Sequence, residues 1–198
     1  MLRYFTGRQL SAKFNINLAR WKRWSRAFLA PDPLGGLQSG YARQYSIDQA
    51  FCVYLGGILV SELKFSIPEA EAILRDLRSW LGAAGLYLNA KPDPELIENQ
   101  FGSIDRCLIL IGGVKADKEG QTLCYSVYGH LQDPPSYNDL KAGTVRGCVF
   151  HPIPGLPAVA NQDDWIHLRV LNVSNILAAF VSALGIDPKL YPGQLFGK

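Results

Sequence analysis

Three residues, Asn15-Ile16-Asn17, separate two runs of helical periodicity, and they fix what the start of this chain can become. Before the break, Thr6 is a good helix N-cap, and Leu10 and Phe14 follow at helical spacing, which predicts a short helix over residues 6–14. After it, Leu18, Trp21 and Phe28 mark the inner side of a second helix over residues 18–27. Asn15 tolerates the left-handed conformation that a tight turn requires, and Asn17 can cap the helix that follows. The expected unit is helix, tight turn, helix.

Residues 31–36 contain two prolines and two glycines and cannot be helix. Residues 38–45 then read as the return strand of a hairpin. Ser46 opens a third helix, with Asp48 in its first turn and apolar residues at 47, 51, 55, 58, 59 and 63 along one stripe. Ser66-Ile67-Pro68-Glu69 combines an N-cap, a first-turn proline and a capping-box glutamate. The fourth helix it opens carries Ala70, Ile73, Leu74 and Leu77 inward and ends near Leu81 and Gly82.

Residues 82–102 hold three glycines and two prolines with little periodicity, which marks a boundary. Strands are expected over 107–111, 122–128, 144–150 and 165–171, with a hairpin turn over 117–120. A last helix, with Ile176, Leu177, Phe180, Val181 and Leu184 on one face, runs to about Leu184, and Gly185 is its C-cap. The fold class is therefore α+β. Residues 1–82 form one mostly helical domain, 83–103 a linker, and 104–198 a small domain with an antiparallel sheet and a C-terminal helix.

Charge is distributed unevenly. Residues 1–45 carry eight basic residues against Asp32 alone, a net +7, while the remainder carries 12 basic and 16 acidic residues, a net −4. An N-terminal surface facing a polyanion is the expected consequence. With 48% hydrophobic and 19% charged residues the chain is a folded globular protein. No apolar run reaches the roughly 18 residues of a membrane span. The first residues lack the apolar core of a signal peptide, so a cytoplasmic protein without membrane partners is expected. Cys52, Cys107, Cys124 and Cys148 form no CxxC pair and are read as separate buried thiols, not a metal site.

A helix-turn-helix followed by a glycine-containing hairpin and two further helices suits duplex DNA on dimensional grounds. One helix fits the major groove, where each base pair shows a distinct donor and acceptor pattern. The other helix braces it, and the hairpin reaches nearby phosphates or the minor groove. At this level the sequence resembles the N-terminal domain of MerR-type regulators over about its first 40%, in five ordered segments. YFTGRQLS at 4–11 is similar to the family's opening helix, and INLARWKRW at 16–24 to its recognition segment. FLAP at 28–31 resembles the exit from that helix, GYARQYS at 40–46 the wing, and LKFSIPEA at 63–70 the start of the next helix. The wing carries one extra residue, Ala42. Gly82, Gly85, Pro92 and Pro94 stop the long helix that forms the family's dimer coiled coil.

The resemblance implies a winged helix-turn-helix that binds double-stranded DNA in a sequence-specific manner and regulates transcription as a homodimer. It places Asn17 at the cap of the recognition helix, Arg20 as the leading base contact, and Lys22 and Arg23 on phosphate. Tyr41 and Arg43 of the wing face the backbone or minor groove, and Arg8 reaches phosphate. Trp21 matches a core position. The C-terminal part is assigned dimerisation, ligand sensing or binding of a protein effector. A phage-type DNA-bending accessory protein, excisionase or partition-like, is the alternative. His130, His151 and His167 are dispersed, and no phosphate loop or nucleophile elbow is present, so neither an enzyme nor a bound cofactor is expected.

Overall fold

A computed structural model describes residues 4–33, 42–87, 104–116, 120–131, 148–153, 155–157 and 165–186. The architecture is α+β, as the spacing predicts, and the chain divides into two compact units. The first gathers Met1–Leu81, Leu86–Ala90 and Leu177–Tyr191; the second gathers Gly82–Gly85, Lys91–Ile176 and Pro192–Lys198.

In the first unit, β1 (Tyr4–Thr6) leads into α1 (Gly7–Lys13), α2 (Leu18–Phe28), β2 (Gln44–Ser46), α3 (Ile47–Ser61) and α4 (Ile67–Ala83). Three helices start at reciprocal caps. The Thr6 hydroxyl accepts from the Gln9 amide while the Gln9 side chain accepts from the Thr6 amide, and Ser46 with Gln49 does the same. Ser66 and Glu69 repeat it, the Ser66 amide donating to Glu69 Oε2 at 2.7 Å. Each box satisfies two backbone groups that a helix start leaves open. Asn15 has φ 52, the left-handed turn expected of it.

Two expectations change at the strands. A strand at residues 4–6 was not foreseen, and β2 pairs antiparallel with it in the register Tyr4↔Ser46, Phe5↔Tyr45, Thr6↔Gln44. Ala42 and Arg43, expected within the return strand, precede β2 without strand pairing, and residues 34–41, Tyr41 included, lie outside the described residues.

The core of this unit is dense because α3 is buried almost all round. Phe51, Val53, Leu55 and Leu59 have no exposed surface, nor have Leu10, Trp21, Ile73, Leu77 and Leu81. Trp21 stacks 6.0 Å from Phe14 and meets Tyr45 edge-on at 5.9 Å. A Cβ on Gly57 of α3 would lie 2.5 Å from the Trp24 ring, so glycine is what permits α2 to pack that closely.

Linear domain bounds do not describe this packing. Leu86 and Tyr87, expected in an 83–103 linker, are 0% and 8% exposed within the first unit. Leu177–Tyr191, expected in a 104–198 domain, also belong to it, and Phe180 lies 5.2 Å from Phe14 and 5.1 Å from Phe51.

The second unit is built on β3 (Ile104–Ala116), β4 (Gly120–Leu131), β5 (Cys148–Pro152) and β6 (Trp165–Asn172), antiparallel in the order β5-β4-β3-β6. Strands β3 and β4 extend well beyond the apolar runs that predict them. Ile109, Ile111, Tyr125, Val127 and Leu171 are buried; at the edge, Ile166, Leu168 and Val170 alternate outward at 44–55% exposure. Helix α5 (Val173–Leu184) follows β6 directly and ends at Gly185, φ 66. Among the described residues no helix is long and apolar enough to cross a membrane.

Candidate nucleic-acid interface

Helix α2 is anchored at its start by Asn17, whose Oδ1 accepts from the amides of Ala19 at 2.8 Å and Arg20 at 3.4 Å. The cap leaves the positive end of the helix dipole facing solvent beside an exposed Asn17. Trp21, Trp24 and Ser25 turn inward at 0%, 5% and 3% exposure. Trp24, like Trp21, is thus core. Around the rest of the helix Ala19, Arg20, Lys22, Arg23 and Arg26 are exposed.

Two clefts flank these cations. The larger, of about 1000 Å³, lies between α2, the start of α1 and β2; Arg8, Lys22, Arg26 and Arg43 line it, with Asp32 at one side. Its walls are tied together by a buried hydrogen bond in which the Tyr45 hydroxyl donates to Ser25 Oγ at 3.1 Å, and Ser25 Oγ donates to the Lys22 carbonyl at 3.2 Å. Half-buried Arg43 is held in place: Nη2 donates to the Ala30 carbonyl at 2.9 Å, and the guanidinium lies 5.4 Å from the Tyr45 ring centroid. The smaller cleft, of about 380 Å³, lies on the opposite flank, with Arg20, Arg23 and Lys64 around the Ser66 start of α4. Arg20 sits 5.9 Å over the Trp24 ring, a cation–π contact that fixes its direction.

Of the residues singled out in the sequence, Arg8, Asn17, Arg20, Lys22, Arg23 and Arg43 therefore converge on α2 and its two flanks, and Tyr41 lies outside the described residues. Among the described residues none of these five cations is held by a carboxylate; the ion pair found joins Arg75 and Asp76. Sequence reasoning passed over Arg26 and Lys64. Arg26 stands four residues after Lys22, on the same helix face, a spacing that could have revealed it. Lys64 has φ 59 in the turn between α3 and α4, and only the packing of that turn beside α2 brings it in. The arrangement offers many strong donors and a helix start to an anion with repeated phosphates.

The expected effector and histidine positions belong to the second unit. His167 is half-buried in β6, while the side chains of His130 and His151 lie outside the described residues. Neither protein-family models nor curated proteins give a match to this chain.

Proposed function

We propose that the first unit is a MerR-like winged helix-turn-helix that binds double-stranded DNA, and that the chain regulates transcription in the cytoplasm as a homodimer, acting by binding and not by catalysis. One observation carries the reading. An N-capped, solvent-facing helix bears Arg20, Lys22, Arg23 and Arg26, with further cations on both flanks and, among the described residues, no ion pair from them to a carboxylate. With α2 in the major groove, the cleft holding Arg8, Arg26 and Arg43 would meet one sugar-phosphate strand, and Lys64 with the α4 start the other. Tyr41 is assigned backbone or minor-groove contact by the resemblance alone. The second unit then serves dimerisation, or senses a small molecule or protein effector.

Titration of a labelled random-sequence duplex with the full chain at graded salt tests this. Seven cations line this surface; with one of them on a base, the remainder on phosphate predict a slope of log affinity against log salt of about −5. Failure to bind duplex at low salt would sink the reading. Sedimentation at micromolar protein checks the dimer.

A further inference from the structure

A helix lying in a groove reads sequence with the side that faces away from its own core, and the buried face of α2 fixes which residues those are. Trp21, Trp24 and Ser25 define the inward direction. At about 100° per residue, the opposite crest runs between Ala19, Arg23 and Arg26, while Arg20 and Lys22 fall roughly 80° to either side. Exposure alone does not separate these residues; their position on the cylinder does.

The arginines also differ in what already holds them. Arg20 is stacked over Trp24 and turned to the smaller cleft. Arg26 Nε donates back to the Lys22 carbonyl at 3.2 Å. Arg43 is fixed by the Ala30 carbonyl. Among the described residues, Arg23 makes no hydrogen bond, ion pair or ring contact, so its whole donor fork is available. Along its i±4 row the neighbours are Ala19 and Ala27, whose methyl groups leave room on both sides and let the helix approach the groove floor. Arg23 stands at the middle of the helix, the sixth of its eleven residues.

We propose that Arg23 is the specificity-determining residue of α2, reading one guanine through paired N–H donors to N7 and O6, and that Arg20, to which spacing and resemblance give that role, holds phosphate instead. The planar fork of arginine matches those two acceptors, which a lysine ammonium does not. This assignment rests on the DNA-binding reading above and adds the residue that reads the site.

Site selection from random duplexes by the full wild-type chain, followed by affinities for the selected site and for versions with each guanine replaced, tests it in Arg23→Ala, Arg23→Lys and Arg20→Ala. Both positions are exposed, and circular dichroism confirms that each variant is folded. Arg23→Ala loses about 10- to 100-fold of the preference for one guanine while its affinity for the replaced duplex stays near wild type. Arg23→Lys also binds the replaced duplex near wild type but does not restore that preference. Arg20→Ala keeps the preference and weakens every duplex alike, with a salt slope smaller by about 1. A guanine preference intact in Arg23→Ala, or lost in Arg20→Ala, overturns the assignment but leaves the DNA-binding reading standing. A wild-type chain that selects no duplex overturns both.

Discussion

Phe180 stacks on Phe14, their centroids 5.2 Å apart and their planes within 12°, so a residue near the end of the chain completes the core beneath the turn between α1 and α2. Phe51 and Tyr54 of α3 close the cluster at 5.1 Å and 5.6 Å. Phe180 is fully buried. Truncating it should leave a cavity bounded by three aromatic rings, and Phe180→Ala is expected to cost about 3–5 kcal/mol. Urea unfolding of the full chain, followed by tryptophan fluorescence, measures this: Trp21, Trp24 and Trp80 are all buried in the same unit. A fragment ending at residue 87 should show the same loss. An unshifted midpoint in both would show that the first unit does not need α5.

Close approach of α2 to α3 sets the second prediction. A methyl group on Gly57 would stand 2.5 Å from the six-membered ring of Trp24, and that ring is only 5% exposed and cannot swing away. Helix propensity favours alanine by about 1 kcal/mol, whereas overpacking costs about 1–3 kcal/mol. Gly57→Ala should therefore destabilise by about 1 kcal/mol net, and it should weaken duplex binding further by displacing the helix that carries Arg20 and Arg23. An alanine variant as stable as wild type would mean that the contact relaxes freely.

Local chemistry made the helix starts readable. Thr6 caps an amide three residues on, and Ser66 and Glu69 stand three residues apart, so these hydrogen bonds follow from spacing alone, and Asn15 and Asn17 behave as their side chains dictate. The charge excess before residue 46 likewise pointed to the surface that carries Arg20 and Arg23. What could not be read depends on distant partners. Tyr87 is core only because Phe51 meets it edge-on at 6.1 Å. The pairing of β1 with β2, the return of Phe180 to the first unit and the placing of Lys64 beside Arg20 all join segments far apart in sequence. A short apolar or charged stretch carries no record of such partners.

Cys52 gives a pH-dependent prediction. Burial pushes its thiol up from the ordinary 9.0 to about 11, against the opposing pull of the Tyr87 hydroxyl and of Arg78. Burial raises the Tyr87 hydroxyl as well. A raised thiol pKa means that the folded chain keeps its proton longer than the unfolded chain. The resulting stability is intact below pH 9 and is lost as pH rises through about 11. Urea midpoints of wild type relative to Cys52→Ala should hold steady from pH 7 to 8.5 and converge above pH 9. Alkylation at pH 8 should be about 100-fold slower for native Cys52 than for the urea-unfolded chain, since the thiolate is the reacting form. Equal rates in the two states would place the thiol in open solvent.

Asn17 joins stability to the proposed interface. Its Oδ1 closes two amides at the start of α2, at 2.8 Å and 3.4 Å. Removing that acceptor in Asn17→Ala should cost about 1 kcal/mol, and Asn17→Ser should recover most of it because a hydroxyl caps nearly as well. Duplex binding distinguishes capping from contact. If Asn17 only caps, affinity follows stability and serine restores both. If its amide also donates to a phosphate, serine restores stability while binding stays below wild type at low salt, and the gap closes as salt rises. Paired urea and anisotropy titrations on the three proteins separate these outcomes, and an alanine variant unchanged in both would remove Asn17 from the cap and the interface together.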